Sequence, residues 1–367
     1  MALAILTTAQ IAEWQQALRQ IPHDFYFLPT YHALAEARGE GHARLFLYQQ
    51  GEYTLALPLL LRPLDTITGM EQIGRGWWDA TSVYGYTGPI ASHTTIPEAV
   101  LHEFRVALSE ALREQRVIAV FSRMHPLQPD QQTILRGLGE YQVRWQTVSI
   151  DLQRSPEAQV AAYRQGHRYE VRRLQKLGLN CERDEGFIHL AEFVDIYHET
   201  MRRVEATGSY FFDQAYFEYL RTMGNFHLWL GRLEGRIVCG ALFSLCDRIC
   251  QYHLAGTRND SLRMAPMKLV IDQARQWAWQ QGAHVLHLGG GLGPQQDSLF
   301  QFKAGFSDQR HDFAIWRWIL DSEPYERLTQ QRNEIERQRG MRLASGEFFP
   351  RYRSPAIPLS EVLNESA

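Results

Sequence analysis

The chain has no uninterrupted apolar run near the ~20 residues that a membrane-spanning helix needs. Its start, MALAILTTAQIAEW, has no basic region and turns polar too soon for a signal peptide. These two absences predict a cytoplasmic protein with no membrane span, one that meets any membrane-linked substrate from the periphery. An excess of charge is also missing: 38 Lys and Arg stand against 41 Asp and Glu, a formal net charge of -3. That balance predicts no DNA partner and confines any polyanion contact to a local patch. Cysteine is scarce. The four present (Cys181, Cys239, Cys246 and Cys250) form no paired CxxC array and have no histidines at zinc-finger spacing. Cys239 and Cys246 lie in apolar, β-like sequence and read as reduced core thiols. No metal is expected. His284 and His287 stand three apart on a strand-like run, so they face opposite sides and share no ion. Short repeats and low-complexity segments are absent as well.

What is present suits two folded cores: 367 residues, 45% hydrophobic and 22% charged. Residues 8–20 carry Ile11, Trp14 and Leu18 at helical spacing, and 43–61 reads as a hairpin about Gly51. The stretch 76–90 is rich in glycine and aromatics without a period, which predicts a loop; a helix over 96–115 and strands at 117–124 and 141–152 follow. The second half predicts helices over 157–177, 187–205 and 213–223, then strands at 226–233, 236–246 and 249–255. A long helix over 265–281, a strand at 284–288, a short helix near 297–303 and a strand at 312–320 close that half. Helices, an antiparallel meander, a helix and two further strands: this order is similar to the GNAT plan, and the first half shows it in reduced form. The expected fold is α/β (α+β), with two tandem GNAT-like domains whose mixed, mostly antiparallel sheets are flanked by helices. The expected boundaries are 1–152, 153–322 carrying the glycine loop, and 323–367 as a helix and tail packing back.

The glycine run Gly289-Gly290-Gly291 follows a strand, which also suits the cofactor loop of a methyltransferase. That reading fails on position, because several βα units must follow such a loop and about one helix and one strand remain. A tight structural turn is the plain alternative. From 287 to 306 the run HLGGGLGPQQDSLFQFKAGF combines the glycines with Asp297, Phe302-Lys303 and Gly305-Phe306. Asp79 with YGYTGP at 84–89, YHETMRRVEA at 197–206 before Tyr210-Phe211-Phe212, and FFPRYR at 348–353 accompany it in order. Together these segments resemble the Fem-type peptidoglycan-bridge aminoacyltransferases.

The resemblance implies transfer of an aminoacyl group from aminoacyl-tRNA to an amine of a cell-envelope precursor. The related GNAT enzymes use acyl-CoA as cosubstrate and an amino-sugar or small amine as acceptor. No tightly bound cofactor is expected in either case. A non-catalytic module that binds a nucleotide sugar is the reading from outside enzymology. Amine attack on a carbonyl passes through an oxyanion, and the family's FK lysine maps onto Lys303; a solvated lysine at its helix end is the alternative. His253, after Tyr252 on a central strand, and Asp297 are the candidates for proton transfer, Asp297 serving equally as an N-cap. Arg168 and Arg172 continue a row from Arg164 at i, i+4, i+8, which suits phosphates of a nucleotide-linked acceptor or a solvated helix face. Tyr252, Asp79, Tyr84, Tyr86, Tyr210, Gly289, Gly290, Gly291 and Phe302 complete the candidate substrate contacts; packing is the other reading of the aromatics. Two departures matter. The stretch 257–266 has no glycine after Gly256 for a CoA pyrophosphate loop, and no segment offers the helical arm of some bridge-building enzymes.

Overall fold

A computed structural model describes residues 3–128, 130–293, 297–344, 346 and 348–359. The chain divides into two compact units, one of residues 1–22, 26–143 and 313–367, the other of 23–25 and 144–312. In chain order the first unit opens with β1 (Ala4–Leu6), α1 (Ile11–Leu18), α2 (Pro29–Ala37), β2 (His42–Gln50) and β3 (Tyr53–Pro63). Next come β4 (Trp78–Thr81), β5 (Ile90–Ala91), α3 (Glu98–Glu114), β6 (Val117–Arg123) and α4 (Gln131–Ile134). Gly51, at φ +59, turns β2 into β3 with Gln50 opposite Tyr53. The segment expected to be loop at 76–90 contains two short strands. β4 pairs antiparallel with β3 and parallel with β6, so its extended form comes from tertiary partners rather than from any alternation of its own.

β7 (Glu140–Asp151) leads into the second unit, which holds its residues 144–151. There follow α5 (Pro156–Ala161), α6 (Gln165–Lys176), β8 (Asn180–Arg183), α7 (Leu190–Arg203), α8 (Gln214–Thr222), β9 (Phe226–Leu233) and β10 (Arg236–Cys246). The unit ends with β11 (Ile249–Thr257), α9 (Met267–Gln280), β12 (Val285–Gly289) and α10 (Ser298–Ala304). The single helix expected over 157–177 is two. Arg164 is extended at the N-cap of α6, and its N–H donates to the Gly305 carbonyl at 2.9 Å, so a tertiary bond breaks what the apolar period left continuous.

The chain then returns to the first unit through residues 313–319 of β13 (Gln309–Ile319) and α11 (Ser322–Gln338). Each unit repeats one plan. A three-strand antiparallel meander (β2-β3-β4, or β9-β10-β11) is followed by a helix (α3, or α9) and a strand parallel to the last of the meander (β6, or β12). Parallel neighbours require such a crossover. An antiparallel strand flanks the crossover product in both cases, β13 beside β6 and β7 beside β12. In each unit the strand pairing is thus mixed, mostly antiparallel and flanked by helices.

The first core packs Phe104 and Leu108 of α3 on Leu57, Leu59, Val120 and Trp316. The second packs Val270, Ile271 and Ala274 of α9, with Leu174 of α6, on Phe243, Leu286 and Leu288. Each fully buried side chain of this size contributes ~1.5–3 kcal/mol. Among the described residues, no helix is long and apolar enough to cross a membrane.

Candidate active site

In the second unit β11 and β12 pair over three positions only: Ile249 with Val285, Cys250 with Leu286, and Gln251 with His287. β11 runs on to Thr257, whereas β12 shifts register against β7 between His287 and Gly289. The two strands therefore part just beyond Gln251 and His287. The glycine run fills the end of β12, each glycine for its own reason. Gly289 has φ +77, which a side chain resists. A Cβ on Gly290 would lie 3.1 Å from the Gln146 carbonyl, and one on Gly291 would lie 2.5 Å from the Asp297 carboxylate.

Asp297 is the N-cap of α10. Its Oδ1 accepts from Phe300 N at 2.8 Å, and its Oδ2 accepts from Leu292 N at 2.5 Å, so one carboxylate starts the helix and folds the glycine loop over it. One turn on, Lys303 Nζ donates to the Gly290 carbonyl at 2.6 Å and stands 5.8 Å from the centre of the Tyr252 ring. Lys303 is only 8% exposed. Burial draws its pKa down to about 8, with the Asp297 charge opposing the shift. Burial also raises the Tyr252 phenol well above its usual range. Phe302 is half-buried, and its carbonyl accepts from His167 Nε2 at 2.8 Å. The His167 ring packs edge-on against Phe306 at 4.8 Å, which, with the Arg164–Gly305 bond, fastens the start of α6 to the end of α10. A lysine ammonium and a neutral phenol beside parting strands can stabilise a carbonyl oxygen that gains charge.

The Acetyltransferase (GNAT) domain family matches residues 161–303, which span α6 to Lys303. Among solved structures, a crystal structure of FemX is similar at a TM-score of 0.68 and 15% identity, covering 89% of this chain and 99% of that one. The structure of L-PGS from Bacillus licheniformis is similar at 0.54 and 12%, covering 88% and 96%. The C-terminal domain of a putative lysylphosphatidylglycerol synthetase from Agrobacterium fabrum follows at 0.50 and 13%, covering 86% and 93%. At these identities the shared feature is the fold. No curated protein matches the chain in sequence.

The second unit distributes the other expected site residues unevenly. His253 is the residue that β11 bulges out, since Tyr252 pairs with Phe243 and Leu254 with Leu242. Whereas Tyr252 lies under Lys303, the His253 ring lies against Phe25 at 5.1 Å and Phe226 at 5.7 Å, with Tyr216 Oη 3.4 Å from Nε2. Burial takes its pKa to about 3, far from the value a base at neutral pH needs. Arg168 donates to the Ala161 carbonyl at 3.2 Å, and Arg172 is exposed on the same helix. Tyr210 ends a 3-10 turn, 39% exposed, and its carbonyl accepts from Tyr197 Oη at 2.6 Å. Pro294, Gln295 and Gln296, within the glycine-to-FK motif, lie outside the described residues.

In the first unit, Asp79 is fully buried on β4, with Oδ1 accepting from Arg62 Nε at 2.8 Å and Oδ2 accepting from Arg353 Nε. The FFPRYR motif hence supplies Arg353 to the Asp79 ion cluster, with the buried Tyr352 beside it. The Tyr84 carbonyl accepts from Tyr31 Oη at 3.0 Å, and Tyr86 packs edge-on against Tyr26, His125 and Phe313. Sequence reasoning missed Gln251 and Thr147, which bond to His287, and Asp24, which holds Gln251. The available signal was a polar residue amid apolar ones, as in Ile249-Cys250-Gln251-Tyr252.

Proposed function

We propose that the chain is an N-acyltransferase that moves an aminoacyl group from aminoacyl-tRNA to an amine of a cell-envelope precursor, with Lys303 beside the reacting carbonyl. The observation that carries this reading is the Lys303 ammonium, buried where β11 and β12 part and held on the Gly290 carbonyl. The amine nitrogen forms a bond to the carbonyl carbon, and the carbonyl electron pair moves onto oxygen. Collapse of that oxyanion breaks the ester C–O bond, and the proton shed by the amine goes to the departing ribose oxygen. Lys303 needs no proton exchange in this scheme. Its charge, little screened in a dry site, offsets the oxyanion. His253 is left out of proton transfer, its pKa of about 3 being too low for the task.

The donor preference rests on the start of α9, where a GNAT domain that takes CoA offers free amides to the pyrophosphate. Here Pro266, which has no N–H, is the N-cap after Ala265 at φ +54. Beyond Met267 the amides are engaged: Lys268 N donates to Ala265 O at 3.2 Å and Leu269 N to Pro266 O at 3.1 Å. Arg168 and Arg172 are proposed contacts for phosphates of the acceptor or of tRNA, and Tyr210 a stacking surface. Acyl-CoA remains the second reading, favoured by the acetyltransferase description of the matched family.

Filter retention and calorimetry with aminoacyl-tRNA, uncharged tRNA and acetyl-CoA at fixed salt test the donor. Preference for charged over uncharged tRNA is the expected result. Saturable acetyl-CoA binding with indifference to tRNA overturns it in favour of acetyl transfer, and absence of binding to any of the three points to a non-catalytic module.

A further inference from the structure

The point at which β11 and β12 part is braced by a chain of buried polar side chains. His287 Nδ1 donates to Gln251 Oε1 at 2.8 Å, and His287 Nε2 lies 2.8 Å from Thr147 Oγ1. Gln251 Nε2 donates to Asp24 Oδ2 at 2.5 Å, and Asp24 Oδ1 accepts from Phe25 N at 2.6 Å. Beside them Ser149 Oγ meets His311 Nε2 at 2.7 Å. Asp24, Gln251, His287 and Thr147 are all buried to within 1% of full exclusion from solvent. Aliphatic residues would hold a sheet at this position without the desolvation that four buried polar groups incur. Their return is directional geometry.

That geometry has a particular place. Gln251 and His287 are the last residues paired between β11 and β12, and the shift of β12 against β7 begins directly after His287. His287 thus grips both neighbours of its strand, β11 through Gln251 and β7 through Thr147, at the residue before they let go. Tyr252 follows Gln251, and three residues beyond His287 stands Gly290, whose carbonyl takes the Lys303 ammonium.

We propose that Gln251 and His287 are a positioning pair: their side-chain bond, braced by Asp24 and Thr147, sets where the strands part and so holds the Gly290 carbonyl against Lys303. This rests on the reading of Lys303 as the group at the reacting carbonyl. Neither side chain touches substrate in this role. A sheet merely stabilised by the four groups would lose stability when they are cut, without selective exposure of one lysine.

The chain has three lysines, Lys176, Lys268 and Lys303, which makes the test specific. Trace acetylation of the full chain with acetic anhydride, read by peptide mass spectrometry, gives the labelling rate of each lysine without any substrate. It is therefore independent of whether acyl transfer itself is found. In Thr147→Val and His287→Asn, the rate at Lys303 relative to Lys176 is expected to rise about tenfold, the scale on which losing one buried hydrogen bond shifts local opening. Gln251→Glu, which keeps an acceptor for His287 but faces Asp24 with a second carboxylate, is expected to act in the same direction. An unchanged ratio in Thr147→Val, a near-isosteric variant that retains the fold, overturns the proposal even if His287→Asn does not fold. A parallel rise at all three lysines overturns it too, as general loosening.

Discussion

Two buried ion-bearing clusters, one in each unit, begin from similar material and end differently. In the first unit both carboxylate oxygens of Asp79 are taken by arginines, Arg62 and Arg353, so each of these charges has an ion-pair partner. In the second, Asp297 spends its oxygens on backbone amides, while Lys303 faces a neutral carbonyl and the Tyr252 ring. The first arrangement gives each charge an ion-pair partner and ties Arg353 to β4. Among the described residues no carboxylate contacts the Lys303 ammonium, whose pKa is depressed, and a developing anion would complete it. Local burial is alike; what differs is whether the protein supplies the counter-ion. A buried charge with its own partners reads as structure, and one short of a partner reads as function.

Breaking the first cluster should give the largest free-energy change and leave transfer untouched. Asp79→Asn strands two guanidinium groups and is expected to cost ~3–5 kcal/mol in denaturant unfolding, with kcat per folded molecule unchanged. A kcat loss larger than the folded fraction explains would erase the contrast. Next comes the charge at Lys303 itself. Since its pKa is drawn down to about 8, it is protonated below that pH and neutral above. Transfer that depends on the cation should therefore fall as pH rises through about 8, by up to ~100-fold at the limit, and Lys303→Arg should lack that limb because a guanidinium stays charged. An identical alkaline limb in both proteins would assign it to another group.

Smaller effects sharpen the comparison. Asp297→Ala removes a helix cap and the Leu292 tie, for about 1 kcal/mol of stability, and should raise KM more than it lowers kcat as the loop loosens. The smallest change is expected at His253, where His253→Phe in its aromatic surroundings should leave kcat within about twofold, measured at saturating donor. A loss near 100-fold there would restore it as the base.

Much of this was legible in the residues. β9 and β10 occupy the spans expected of them, and α10 begins one residue after the expected start, because alternation and an Asp N-cap are local signals. The split between α5 and α6 was not legible, because Arg164 answers to Gly305, far along the chain. The same holds for β4, which owes its form to β3 and β6. At the site, the spacing of Gly290 and Lys303 was readable, but not that the lysine would close onto that carbonyl. Nor could periodicity tell that His253 occupies a bulge, since the register of β10 decides it. The Gln251–His287 pair stayed hidden for a related reason: two polar residues in separate strands become a clasp only when the strands are parallel and in register.

Lys303 is proposed to serve the reacting carbonyl of an acyl transfer. The most direct measurement is single-turnover transfer from aminoacyl-tRNA to a nucleotide-linked peptidoglycan precursor by the wild-type chain and by Lys303→Ala, with folding checked by circular dichroism. Amide product is expected with the wild type and a rate lower by about 10²–10³ in the variant, with donor binding retained. Equal rates in the two proteins, or product only when acetyl-CoA replaces the tRNA, would contradict it.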